Sequence, residues 1–312
     1  MLRHSSVLLL FFLLWIATAH QRHPRHAVAH VSLRRAEPNG TEYCSLETCG
    51  AKNSAGQCPS RLNPRVLKAP DPSTHPVSGR WYGPDNYGNN VDSFFRGEIA
   101  KRADNQTDIV PIYGGEVTSA YIPFKDEPRS LAMLGFCGCI GLIVMSKSAV
   151  WMARVYENPV LLNADTFDEN GIAVLKDGKG NTDMQYGLAD LSGNVFAPGE
   201  SPVAVVFAPN VFPATSGSNF VYKPPMQKID RMVKDLIGVD PKWIGYTPRR
   251  AGSAIVRLDE DCTRSDGKVL VQYQPSNPGG FIRGKARARI WGEGESWRYQ
   301  TDWSPQSDQM RN

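Results

Sequence analysis

The run "GFCGCIGLIVMSKSAVWMARVYEN", residues 135–158, decides how the rest of the chain is read. Ile140–Met145 (IGLIVM) is continuously apolar and short, the pattern of a strand buried on both faces. Ser146-Lys147-Ser148 is a tight polar connection, and Val150–Tyr156 (VWMARVY) returns from it. Residues 140–156 therefore predict an antiparallel hairpin at the centre of a sheet. Side chains alternate along a strand, so Cys137 and Cys139 share a face and are not expected to bond to each other.

Working outward, further short strand patterns follow at Ala120–Phe124, Pro202–Pro209, Ser253–Leu258, Lys268–Tyr273 and Lys285–Trp291. Helical spacing is clearest over Pro224–Ile237, where Met226, Ile229, Met232 or Val233, and Leu236 recur every three or four residues. Two prolines open that segment and Gly238 closes it, as helix termini favour. Many short strands with one or two packed helices predict an α+β fold with a mostly antiparallel, mixed sheet.

The opening residues read as an address. Arg3 and His4 precede the apolar run Val7–Ala17, and Ala17-Thr18-Ala19 is a small-x-small cleavage pattern. Eleven apolar residues are too few to cross a bilayer, so residues 1–19 are expected to be a signal peptide cut after Ala19, with no membrane anchor. Residues 20–35 hold four arginines, no acid, and a closing Arg34-Arg35 pair. They are either a propeptide processed at Arg35 or a solvated basic arm. Without the first 35 residues the chain has 30 basic and 31 acidic side chains, which excludes the electrostatic footprint of a nucleic-acid binder. Asn39 and Asn105 stand in sequons compatible with a secreted, extracellular glycoprotein.

Residues 36–92 are irregular and rich in Pro, Gly and Asn, and contain Cys44, Cys49 and Cys58. Residues 93–312 are expected to form the globular α+β domain, with Cys137, Cys139 and Cys262. Six cysteines in a secreted chain pair completely by default. The competing reading keeps Cys139 as a thiol nucleophile and leaves a second cysteine odd.

Nucleophilic chemistry at Cys139 needs a base to take its proton. The six histidines are His4, His20, His23, His26, His30 and His75, so none falls within the globular region. The same absence, with no Cys/His cluster of zinc spacing, predicts no metal and no cofactor. The acidic run Asp259–Asp261 lacks the spacing of a calcium loop.

Residues 135–158 resemble a family of secreted fungal proteins in which a Gly-Cys opens a strand and the hairpin leads to a Gly/Ala-His-aromatic-aromatic-Glu segment. That hairpin is similar to the cysteine deamidase core of cytotoxic necrotizing factor toxins and bacterial chemoreceptor glutamine deamidases. In those proteins a Cys and a His about fifteen residues apart form a catalytic dyad on adjacent strands. Gly138-Cys139 matches the Gly-Cys, and the position of the His is occupied by Arg154, within Ala153-Arg154-Val155-Tyr156-Glu157. The resemblance extends loosely over residues 90–305. Arginine stays protonated and is no general base.

The resemblance thus implies a retained deamidase-like scaffold with a lost dyad, and an Arg154–Glu157 ion pair where the base once stood. Three functions stay open on these grounds. The first is a non-catalytic secreted protein that binds an extracellular protein or carbohydrate, of a host or a cell wall. The second is a glutamine deamidase using Cys139 with His75 or Glu157, and the third is a structural secreted protein. Trp81, Tyr82, Tyr87, Trp297, Tyr299 and Trp303 lie outside the clearest strands and either form a binding surface or cover a sheet edge.

Overall fold

The computed structural model describes residues 82–101, 105–111, 117–178, 185–211, 219–248, 265–276, 284–293 and 297–310. The signal peptide, the basic arm, Ala19, Arg35, Asn39, Cys44, Cys49, Cys58, His75, Trp81, Cys262 and the strand expected at Ser253–Leu258 lie outside those residues.

The fold is α+β, and the described strands form two five-stranded mixed sheets rather than the one expected. The first joins β1 (Thr107–Ile109), β3 (Arg129–Met133), β8 (Val269–Gln274), β9 (Ala286–Trp291) and β10 (Trp297–Trp303), in that spatial order. The second runs β2 (Val117–Pro123), β5 (Ala149–Val155), β4 (Ile140–Met145), β6 (Val203–Pro209), β7 (Lys242–Tyr246). Among the described strands, β1–β3 and β6–β7 pair in parallel and the other ladders are antiparallel.

Alternation explains how both sheets are buried. On β4, Ile143 and Met145 point between the sheets, whereas Ile140, Leu142 and Val144 point to the outer helical layer. On β5, Val150 and Met152 point inward, and Ala149, Trp151, Ala153 and Val155 outward. Facing them across the central core are Leu131 and Met133 of β3, Val269 and Val271 of β8, and Ala288 and Ile290 of β9. Every residue of β4 and β5 is buried, which is why their sequence reads apolar without a polar face.

Helices cover both outer faces, with short helical turns between Glu157 and Ser192 adding to the cover of the second sheet. The helix α1 (Val91–Ala100) places Phe94, Phe95 and Ile99 against Leu134, Leu270 and Trp291 of the first sheet. Asn90 caps it by accepting a hydrogen bond from the Ser93 amide. Glu98, on its buried side, accepts from the Tyr87 hydroxyl, the Lys101 ammonium and the Gln272 amide. The helix α2 (Lys223–Ile237) lays Met226, Ile229, Met232 and Val233 on the second sheet. It stops at Gly238, whose φ of 74° is the left-handed geometry glycine adopts without steric cost.

The layers are thus helix, sheet, sheet, helix. The two sheets are sewn together near Gln309. Its side-chain carbonyl accepts from the Trp303 indole at 2.8 Å, and its amide donates to the carbonyls of Phe124 and Lys147. Trp303 stacks with Phe124 and Tyr273, whose rings lie 4.2 Å apart and 6° from parallel.

Candidate functional site

The two halves of the hairpin bring the resemblance's positions together. Cys139 enters β4, and Arg154 lies on the neighbouring β5 opposite Gly141. Both are completely buried, on the face between the sheets. Gly141 makes room for this arrangement. A Cβ there would meet the ring of Phe136 at 2.4 Å, and that ring lies against the Arg154 guanidinium, 5.4 Å from its centroid. The ring of Tyr156 flanks the same guanidinium at 5.4 Å. Arg154 is therefore held between two aromatic faces, a favourable setting for a planar cation.

Cys137 is disulfide-bonded, but Cys139 carries a buried thiol. Complete pairing of the six cysteines is thus corrected at Cys139. The thiol is pushed up to about 11, first by burial, which disfavours the thiolate. The positive charge of Arg154 and the backbone N–H groups of Glu157 and Gly138 pull the other way, and the Glu157 carboxylate adds to the rise. Burial wins, and at neutral pH Cys139 is a neutral thiol.

The expected Arg154–Glu157 ion pair does not form among the described residues. Arg154 donates from Nη1 to the Tyr156 hydroxyl at 3.1 Å, whereas Glu157 accepts from the Tyr222 hydroxyl. Glu157 lies beyond the end of β5, at the start of the helical turn Glu157–Leu161, and its carboxyl is taken up by Tyr222. The Glu157 carboxyl instead lies over Gly138, where an added Cβ would come within 2.3 Å of its Oε2. Tyr246, on β7, donates to the Cys139 carbonyl at 2.7 Å, and burial raises its own hydroxyl well above the usual range.

The chamber thus consists of Cys139, Arg154, Tyr156, Glu157, Tyr222 and Tyr246, closed by Phe136. Tyr222 and Tyr246 come from segments remote in sequence and carried no local signal. Arg129 Nη1 pairs with Glu127 at 3.2 Å and Lys228 with Asp168 at 2.7 Å, both away from this chamber. Among the described residues no group of three or more metal-ligating side chains occurs. No helix of the described residues is long and apolar enough to cross a membrane.

Among the described residues, four of the candidate aromatics have identifiable partners. Trp303 is buried between the sheets, Tyr299 is partly buried against the same core, and both belong to β10. Tyr82 takes the Lys101 ammonium over its ring, and Tyr87 packs edge-on to Phe94. Asn105 is exposed, ahead of a buried Thr107 whose hydroxyl donates to the Glu98 carbonyl.

No protein-family model matches the chain, and no curated protein does. Among solved structures it is similar to the C-terminal domain of CNFy from Yersinia pseudotuberculosis. The two share 11% identity and a TM-score of 0.27, over 60% of this chain and 59% of the other. The chain thus spans less than two thirds of the length of the structure it matches.

Proposed function

We propose that the chain is a secreted, non-catalytic protein on a deamidase-like scaffold, acting outside the cell by binding a protein or carbohydrate partner of a host or a cell wall. The observation that supports a silent site is the pairing of Cys139 with Arg154. The thiol is buried and neutral at physiological pH, and the side chain at the position of the expected base is a permanent cation. A cysteine nucleophile needs the thiolate together with a proton acceptor. The address read from residues 1–19 supports secretion, and the near-neutral body disfavours nucleic acid as partner.

One observation favours the glutamine deamidase reading, namely that the Arg154 cation and the backbone N–H groups of Glu157 and Gly138 draw the Cys139 thiol toward the thiolate against its burial. A single experiment separates the two. One portion of the oxidised, full-length protein is treated with iodoacetamide at pH 7.5 and checked for an adduct, and a separate untreated portion is assayed for ammonia release from glutamine-containing proteins. No adduct at Cys139 and no ammonia is the expected result. Turnover that is abolished in Cys139→Ser would overturn the proposal in favour of the enzyme.

A further inference from the structure

We propose that Arg154 and Thr118 form an internal receptor for one small monovalent anion, of the chloride, nitrate or formate class, enclosed between the sheets beside strand β2.

The geometry begins with the guanidinium. Arg154 is completely buried, and only its Nη1 is engaged, by the Tyr156 hydroxyl. Its Nε and Nη2 have no hydrogen-bond partner. These two nitrogens share one edge of the planar group, the edge that grips a carboxylate or nitrate with two parallel N–H bonds. Phe136 and Tyr156 cover the faces of the guanidinium and leave that requirement unmet.

A third donor stands beside it. Thr118 on β2 is the direct cross-strand partner of Arg154 on β5, so their Cβ atoms are about 5 Å apart on one face. The Thr118 hydroxyl is likewise buried with no hydrogen-bond partner. Three unpartnered polar atoms thus meet at one level of the sheet, each able to donate. Buried polar groups are nearly always satisfied, so such a cluster marks a ligand.

Charge selects an anion over water. No ion pair links Arg154 to a carboxylate among the described residues, and Glu157 is occupied by Tyr222. Water would complete the hydrogen bonds but bring no charge to a buried guanidinium that makes no direct ion pair among the described residues. Size follows from enclosure: neither side chain is exposed, so the ion carries no tail. The receptor does not depend on whether the Cys139 site is catalytic.

The test is thermal unfolding of the intact protein across a concentration series of sodium nitrate, formate and chloride, comparing wild type with Thr118→Val and Arg154→Met. Anion effects common to all three proteins are non-specific and cancel. The midpoint is expected to rise with the logarithm of anion concentration in wild type, at higher concentration in Thr118→Val, and not in Arg154→Met. Losing one bond to an anion weakens binding about tenfold, so Thr118→Val should need about ten times more nitrate for the same rise. A bromide-soaked crystal of wild type should show an anomalous peak within hydrogen-bond distance of Arg154 Nε. Identical anion response in wild type and Thr118→Val, or no bromide peak, overturns the receptor, and neither readout requires Arg154→Met to fold.

Discussion

At the scale of single residues, the interior of this protein holds groups that most cores exclude. Cys139 illustrates the consequence for pH. In the unfolded chain a thiol ionises from about pH 8.5, whereas in the folded protein it stays protonated up to about 11. The folded pKa is the higher one, so the stabilisation is complete below about pH 8.5 and is lost as pH rises to about 11. Between pH 8 and pH 10.5 wild type should lose about 2 kcal/mol relative to Cys139→Ala, read from urea unfolding at those two pH values. Glycines beside the site are equally constrained. Gly141→Ala drives a methyl into Phe136, and Gly138→Ala drives one into the Glu157 carboxylate that Tyr222 holds. Each should cost about 1–3 kcal/mol, measured by the shift in denaturant midpoint. The residue identities at Cys139 and Arg154 were legible in the sequence because a hairpin register is local. Thr118, Tyr222 and Tyr246 were not, because each reaches the chamber through pairings or packing across long sequence separations.

At the scale of elements, legibility followed burial. Of the strands found from sequence, β4, β5, β6, β8 and β9 have dense apolar or cleanly alternating runs, the Ala120–Phe124 pattern falls mostly within β2, and α2 has a sharp apolar stripe closed by Gly238. The elements missed are weaker in pattern. β1 has three residues, β3 begins with Arg129 and Ser130, and β7 carries a lysine, a glycine and a half-buried tryptophan. Helix α1 was hidden for another reason. It begins at Val91 behind a stretch rich in Gly and Asn, and its buried Glu98 breaks the apolar stripe. That glutamate is tolerated only because three donors satisfy it. Helix α2 is tied to β7 by the Trp243 indole, which donates to Asp230 at 2.8 Å. Trp243→Phe keeps the ring and removes the donor, so α2 should loosen by about 1.5–3 kcal/mol, the range for a hydrogen bond to a charged group. Amide exchange in α2 and β7, faster than in β4, is the measurement that checks it.

At the scale of the whole molecule, an apolar interior between two sheets accounts for a sequence that looked like one. Both inner faces read as strands of a buried sheet, and nothing in local pattern tells which strands share a ladder. Of the aromatics read as either a binding surface or a cover over a sheet edge, Trp303 becomes core only once the second sheet lies over the first. Trp303→Ala should cost about 3–5 kcal/mol and release the stack with Phe124 and Tyr273, visible as lost near-ultraviolet dichroism. The order of strands along the chain has a temporal meaning as well. The second sheet draws on a single span, residues 117–246, and its central hairpin closes over three intervening residues. The first sheet pairs β3 with β8, more than 130 residues downstream, so its ladder must wait until everything between has been gathered in. Refolding should therefore be sequential, with amides of β4 and β5 protected in an early pulse of hydrogen exchange and those of β3 and β8 only in a late one. The sheet that completes the interior around Cys139 is the last to arrive, and the thiol stays open to solvent, disulfide exchange and alkylation until that moment.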